Sequence, residues 1–170
     1  DSTPIFSTHE HHRPTEFQTQ LDLDALFSSS YVNWCSAPAG NSKEERARWL
    51  DTIRTNSYFV WLEKSVCDIY GVDEINEDTW EGISASIRAA HKHPDFHWRL
   101  LKEKAGYKGF IEDAYWDTGS VIDNPEFVKS AYRLDSWLAG YHPDSRDHDD
   151  NNARQFTDAD MSTFEAYLAT

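Results

Sequence analysis

The segment from Pro4 to His12 ends in three histidines, and its apolar start is typical of a strand. Side chains of a strand point alternately to its two faces, so His9 and His11 share one face. Two imidazoles on one face can bind one divalent cation, because neutral imidazole is a common metal ligand. The spacing therefore predicts a metal site at His9 and His11. His12 is expected on the opposite face, where it packs or supports the ligands.

A divalent cation at this position would support two kinds of chemistry. It can lower the pKa of a bound water from about 16 towards about 7, which creates a nucleophile for hydrolysis. It can also bind the oxygens of a sugar acid while a base moves a proton between neighbouring carbons, which is isomerisation. Zinc is the favoured ion and manganese the alternative. Both reactions need more ligands than two histidines, and this spacing also occurs where histidines are only polar residues at a strand end.

Two other groups of residues have the composition of a metal site. Residues 91–97 contain three histidines, but Pro94 separates them, and a solvated helix end is the favoured interpretation. Residues 142–152 contain enough oxygen ligands for calcium, but they lack the glycine and the distal glutamate of a calcium-binding loop. A solvated acidic loop is therefore predicted there, with a place at the mouth of a substrate pocket as the alternative.

The composition narrows the class of protein. The chain has 170 residues, of which 39% are hydrophobic, and this is enough for one domain with a core. The formal net charge of -14 repels nucleic acid and anionic lipid, so neither is expected as a partner. No apolar run approaches the ~20 residues of a membrane helix, and the N-terminus lacks the features of a signal peptide. Cys35 and Cys67 have no metal or redox spacing, so we expect buried thiols in a soluble, cytoplasmic protein.

Four helices are predicted in the stretch that follows the histidines. Ser42 and Glu45 form a capping box, which starts the first helix. The second helix carries apolar residues at helical spacing and ends at Gly71, a residue that adopts the left-handed conformation easily. A third helix begins near Asn76, and a fourth follows at about 95–105.

Strands are predicted on both sides of this helical stretch. The first precedes His9, the second covers residues 107–113, and a third is expected at 128–134, where a helix is the alternative. Thr157 and Asp160 cap a last helix. This order of elements is typical of an α/β protein with helices packed outside a parallel sheet.

Five segments carry a resemblance to a known family. They are His9-Glu10-His11, Ser30-Tyr31-Val32-Asn33-Trp34, Asn56-Ser57-Tyr58-Phe59-Val60-Trp61-Leu62-Glu63, Tyr70-Gly71-Val72 and Asn76-Glu77-Asp78-Thr79-Trp80. Together they resemble the N-terminal part of the amidohydrolase superfamily, and within it the uronate isomerase branch. The similarity extends from Pro4 to about Arg133.

The resemblance implies an α/β fold that is the N-terminal portion of a TIM-type (β/α)8 barrel. Residues 1–170 would then be one partial barrel domain, with a four-helix insertion at residues 22–106 after the first strand. The two histidines of the first strand would be metal ligands, whereas Tyr31 and Arg133 would bind a small-molecule substrate. The remaining strands, with further ligands, would come from the same gene product or from a second chain.

Two departures from the family pattern bear on the reaction. Ser30 stands where uronate isomerases tend to have a histidine, and Cys35 stands where they have an arginine. The sequence therefore favours a divalent-metal-dependent hydrolase of a small carbonyl compound over a uronate isomerase-like aldose-ketose isomerase. A non-catalytic binding or assembly module is a third interpretation, because an open sheet leaves an unpaired edge. A homo-oligomer is compatible with all three.

Overall fold

The structure is a computed structural model, and it describes residues 3–35, 39–113, 124–131 and 142–146 together with Asp150, Asn152 and Ala166. The chain divides into two compact units. The sheet unit contains Asp1–Pro14 and Leu100–Thr170, and the helical unit contains Thr15–Arg99.

The sheet unit is built on three parallel strands. They are β1 (Ile5–Glu10), β2 (Tyr107–Asp113) and β3 (Val128–Ala131), in the order β1-β2-β3. β-branched and aromatic residues favour the extended conformation in β1 and β2. β2 starts after Gly106, whose φ of 73° is in the left-handed region that glycine adopts without strain. The predicted strand at 107–113 and the parallel arrangement are confirmed, and the predicted third strand is confirmed over residues 128–131.

The sheet is open, so the prediction of a portion of a TIM-type (β/α)8 barrel is wrong. Within the described residues, β1 and β3 each pair only with β2, and both are therefore edge strands. A barrel requires a sheet that closes on itself. Strand number and closure depend on pairing between distant segments, and local hydrophobic patterns do not encode that pairing.

The helical unit contains six α-helices and one 3-10 helix among its described residues. They are α1 (Thr15–Gln18), α2 (Leu23–Ser28), the 3-10 helix Tyr31–Cys35, α3 (Lys43–Ile53), α4 (Ser57–Tyr70), α5 (Trp80–His91) and α6 (Asp95–Arg99). The predicted helices correspond to α3 to α6, and α1, α2 and the 3-10 helix were not predicted. The fourth predicted helix is shorter than expected, because a π-helical turn at Leu100–Lys104 replaces its second half.

Hydrogen bonds at the helix ends explain where α3 to α5 begin and end. The Ser42 hydroxyl accepts from the Glu45 amide at 3.2 Å, and the Glu45 carboxylate accepts from the Ser42 amide at 3.0 Å, which confirms the capping box. α4 ends at Gly71, whose φ of 69° is left-handed as predicted. The Asn76 side chain accepts from the amides of Asp78 and Thr79, just before α5 begins.

Aromatic and aliphatic side chains of α2 to α5 form the core of the helical unit. Trp80 and Phe59 have no exposed surface, and Phe27 packs its ring 5.4 Å from that of Trp80. The buried hydrophobic members are Leu21, Leu23, Phe27, Val32, Trp49, Leu50, Ile53, Phe59, Val66, Ile75, Trp80, Ile83 and Ile87. In the part of the chain that the structure describes, every helix is too short or too polar to cross a lipid bilayer.

Gly109 in β2 is a position where the backbone approaches its neighbours closely. A Cβ atom there would lie 2.8 Å from the Phe127 carbonyl oxygen and 3.2 Å from the ring of Phe6. We expect Gly109→Ala to lower the free energy of unfolding by about 1–3 kcal/mol, because the added methyl group overpacks the site. Equilibrium denaturation in urea measures this change.

Gly82 provides the matched control for this substitution. It lies inside α5, and nothing lies within 4 Å of a Cβ atom added there. Gly82→Ala should leave stability unchanged or raise it by up to about 1 kcal/mol, because alanine has the higher helix propensity. Equal effects of the two substitutions would contradict the packing that the structure gives to Gly109.

Candidate metal centre

The two histidines predicted as ligands meet an aspartate at one edge of the sheet. His9 lies in β1, His11 follows β1 directly, and Asp113 is the last residue of β2. Because β1 and β2 are parallel neighbours, their carboxyl ends meet at the same edge. The candidate ligand atoms of the three residues all lie within 4.8 Å of one another, and no other His, Cys, Asp and Glu side chains converge in this way in the described ranges.

The rings of His9 and His11 face each other through the same nitrogen atom. Their Nε2 atoms lie 3.2 Å apart, and the rings are nearly perpendicular, with centroids separated by 4.8 Å. Two nitrogens bound to one tetrahedral zinc at about 2.0–2.1 Å would lie about 3.3–3.4 Å apart. The observed separation therefore matches that of two ligands of one ion to within about 0.2 Å.

The backbone of Asp113 determines the tautomer of His11. Nδ1 of His11 lies 3.3 Å from the carbonyl oxygen of Asp113, within hydrogen-bonding distance. A carbonyl oxygen can only accept a hydrogen bond, so Nδ1 is the donor and carries the hydrogen. In the neutral ring the lone pair is then on Nε2, which is the atom that faces His9.

The side chain of Asp113 acts on the other ring. Its Oδ2 lies 3.9 Å from Nδ1 of His9, too far for a hydrogen bond but close enough for electrostatic attraction. Asp113 is 8% exposed, whereas the His9 side chain is 59% exposed. The carboxylate favours the tautomer of His9 with hydrogen on Nδ1, as carboxylates and carbonyls do beside metal-bound histidines.

With hydrogen on Nδ1 of His11, its Nε2 lone pair faces Nε2 of His9 at 3.2 Å. If His9 carries its hydrogen on Nε2, this contact is a hydrogen bond between the two rings. If His9 carries its hydrogen on Nδ1, on the side of Asp113, the two lone pairs converge and a cation can bind between them. The two imidazoles supply the nitrogen donors for a divalent cation, and the Asp113 carboxylate lies where it can orient the ring of His9.

Glu10 lies between the two histidines in sequence but has separate partners. The Ser7 hydroxyl donates to its Oε1 at 2.7 Å, and the Tyr107 hydroxyl donates to the same oxygen at 3.3 Å. Burial, together with the negative charge of Glu10, raises the pKa of Tyr107. The bond from Tyr107 ties β1 to the start of β2. His12 packs against the sheet, with its ring 5.2 Å from that of Phe110.

The alternative metal group at residues 91–97 has another role in the structure. His91 is 5% exposed, so the prediction of a solvated helix end is wrong at this residue. Its Nε2 accepts a hydrogen bond from the Tyr70 hydroxyl at 3.0 Å, and its ring packs edge-on against Phe96. Burial raises the pKa of Tyr70 to about 12, which keeps this hydroxyl protonated as the donor.

We expect His91 to make the stability of the protein depend on pH. Burial lowers its pKa in the folded state, so the unfolded state binds the proton more tightly. Stability is then fully present above the unfolded pKa of about 6.5 and is lost as the pH falls from there towards the folded pKa. Urea denaturation followed by helical circular dichroism at pH 7.5, 6.0 and 5.0 measures this loss.

Two substitutions separate this effect from other titrations. His91→Gln should reduce the loss of stability on acidification, whereas His93→Gln, at an exposed histidine of the same region, should leave it unchanged. If the free energy of unfolding depends on pH identically in the wild type and in His91→Gln, His91 is not the cause of the loss of stability.

The predicted substrate-binding residues are Tyr31 and Arg133. Tyr31 is 41% exposed in the helical unit, where its ring lies 4.4 Å from that of Trp34 and 5.3 Å from that of Tyr58. Arg133 lies outside the described residues, as do residues 147–149 and 151 of the predicted loop at 142–152 and all of the predicted last helix except Ala166. Substrate binding by Tyr31 and Arg133 therefore stays a prediction. Burial raises the pKa of the partly buried thiol of Cys67, so Cys67 is not an activated nucleophile.

No protein-family model matches this sequence, and no curated protein matches it. The resemblance to amidohydrolases accordingly stays a prediction that rests on the quoted motifs. The member of the candidate site that was not predicted from the sequence is Asp113. The sequence contained one indication of its place in the site. Asp113 is the last residue of the second predicted strand, and the end of a parallel neighbour lies beside the end of the first strand.

Proposed function

We propose that the chain is a divalent-metal-dependent hydrolase that acts on a small carbonyl compound. The observation that carries the proposal is the 3.2 Å separation of the Nε2 atoms of His9 and His11. In the tautomers that Asp113 favours, both nitrogens direct a lone pair into the same space. The resemblance to the amidohydrolase superfamily supports the same conclusion, because it assigns these two histidines as ligands.

The residues of the site have separate tasks in this proposal. His9 and His11 hold the ion, for which zinc is favoured and manganese is the alternative. When bound, the ion would activate water and polarise a carbonyl group. Asp113 orients both rings, through its carbonyl oxygen at His11 and its carboxylate at His9. The 59% exposure of the His9 side chain leaves access for water and substrate from solvent.

The test is a hydrolysis assay on metal-free protein to which zinc or manganese is added in steps. We expect hydrolysis of a lactone, ester or amide in the panel to rise up to about one equivalent of metal. His9→Ala and His11→Ala should abolish this activity, whereas His93→Ala should retain it. Metal-dependent interconversion of sugar acids without any hydrolysis would replace this proposal by the isomerase. Absence of both activities in the metal-loaded protein would contradict an enzymatic function.

A specific observation favours one second candidate, a non-catalytic assembly module. Ile5 is 46% exposed and Phe6 is 54% exposed on β1, an edge strand within the described residues. Apolar residues on a strand edge are typical of surfaces that pair with another chain. A metal-free species with a mass of 19.7 kDa or a multiple of it would favour the module. About one equivalent of bound metal would favour the hydrolase.

A further inference from the structure

The helical unit contains a cavity that is separate from the histidine pair in the chain and has its own chemistry. Its volume is about 290 Å³, at the small end of the range for ligand pockets. Trp49 and Trp80 of the core form part of its wall. Phe27, Ala25 and Ala39 complete the apolar part of the wall, and the polar lining residues are Asp24, Ser28, Asn33 and Asn41.

Asp24 and Asn33 each contribute hydrogen-bond acceptors to the polar part of the wall. The Oδ2 atom of Asp24 accepts from the indole Nε1 of Trp80 at 3.3 Å and lies 3.9 Å from Arg46. Within the described ranges, no hydrogen bond or ion pair reaches the other carboxylate oxygen of Asp24, Oδ1. The Asn33 side-chain nitrogen donates to the carbonyl of Ser28 at 3.2 Å, which leaves the amide oxygen of Asn33 as an acceptor.

The charge around the cavity is negative. Arg46 is 8% exposed, its guanidinium lies 4.8 Å from the centroid of the Trp80 ring, and it donates to Glu81 at 2.6 Å. Arg46 therefore compensates one of the two neighbouring carboxylates, those of Asp24 and Glu81. No basic side chain is among the described residues that line the cavity. An anionic ligand is disfavoured here, and a ligand that donates hydrogen bonds and carries positive charge is favoured.

We propose that this cavity binds a small primary alkylammonium compound. The ammonium group donates to Asp24 and to the neighbouring amide and carbonyl oxygens, and the apolar body lies against the tryptophan wall. The Asp24 side chain is 46% exposed, so water screens part of its attraction for the ammonium group, and packing of the apolar body against the tryptophan rings supplies the rest of the affinity. The proposal is independent of the metal centre, since no residue of the histidine pair takes part.

The test compares amines with neutral analogues of the same shape. The 2-phenylethylammonium and butylammonium ions are titrated into ¹⁵N-labelled protein, and 2-phenylethanol and butanol serve as the neutral analogues. The indole signal of Trp80 reports on the site directly, because its N–H donates to Asp24. We expect saturable shifts of this signal with at least one amine and an affinity at least tenfold lower for its alcohol, with or without a metal chelator.

Three variants give the proposal its controls. Asp24→Asn keeps an acceptor for Trp80 but removes the charge, and it should weaken amine binding at least tenfold while the alcohols are unaffected. Asp51→Asn removes the same charge from an exposed position in α3 and should leave amine binding unchanged. Ala39→Leu, which fills part of the cavity, should abolish binding if Asp24→Asn fails to fold. Absence of saturable shifts with both amines, or equal affinity for amine and alcohol, would overturn the proposal.

Discussion

Replacing either His9 or His11 by alanine should lower zinc affinity by more than about 100-fold, because even changes to residues behind the ligands cost about 10- to 100-fold. Each substitution removes one of the two Nε2 atoms that face each other at 3.2 Å. The remaining imidazole would bind the ion as weakly as an isolated surface histidine. Competition for zinc with a chromophoric chelator measures the affinity of each variant.

Two further variants show whether the effect belongs to this site. His93→Ala removes an exposed histidine outside the group and should leave zinc affinity unchanged. Asp113→Asn keeps the backbone carbonyl that contacts His11 but removes the charge near His9, so we expect a loss of about 10- to 100-fold. Equal losses for His93→Ala and His9→Ala would show that zinc binds nonspecifically and would contradict the assignment.

Trp80→Ala should destabilise the helical unit by about 3–5 kcal/mol, the cost of truncating a large buried aromatic side chain. Trp80 has no exposed surface, and its ring lies 5.4 Å from Phe27 and 5.9 Å from Trp49. The substitution also removes the indole N–H that Asp24 accepts and the ring over which Arg46 lies. Urea denaturation followed by helical circular dichroism measures the loss.

Trp34 offers the control within the same unit. It is 76% exposed, and its ring contacts that of Tyr31. Trp34→Ala should therefore change stability by less than about 1 kcal/mol, because little packing is lost at an exposed position. Similar effects of Trp34→Ala and Trp80→Ala would contradict the core that the structure assigns to this unit.

The longer helices could be predicted because their ends depend on nearby residues. Ser42 and Glu45 exchange hydrogen bonds three residues apart, and Gly71 adopts the left-handed conformation that its lack of a Cβ permits. The short helices α1 and α2 were missed because four to six residues are too few for a hydrophobic period to emerge. The residue that best indicated one of them was Asp22, which marks the start of α2 because its side chain accepts a hydrogen bond from the Ala25 amide.

The histidine pair could be predicted from strand alternation, but Asp113 could not be assigned from the sequence alone. β2 ends in two acidic residues, Glu112 and Asp113, and only the register of the sheet decides which one faces the histidines. That register is irregular between Ser7 and Glu10, where the pairing of β1 with β2 shifts. Such irregularities arise from packing between distant segments and leave no local pattern.

The barrel prediction failed for a related reason. The motif at His9 and His11 is consistent with a first strand of a barrel, but strand closure depends on every later strand and on its partner. In the described residues the sheet ends at β1 on one side and at β3 on the other. A motif of three residues can thus indicate a metal site without determining the architecture that carries it.

The most direct test of the metal centre is the protonation state of the two imidazoles and their response to metal. Long-range ¹H–¹⁵N spectra of protein labelled at its eight histidines distinguish Nδ1 from Nε2 in each ring. We expect His9 and His11 both to carry hydrogen on Nδ1, and only their Nε2 signals to shift markedly, with the shift complete at one equivalent of zinc. A hydrogen on Nε2 of either ring that persists at one equivalent of zinc would show an ordinary hydrogen bond between them and would contradict the metal centre.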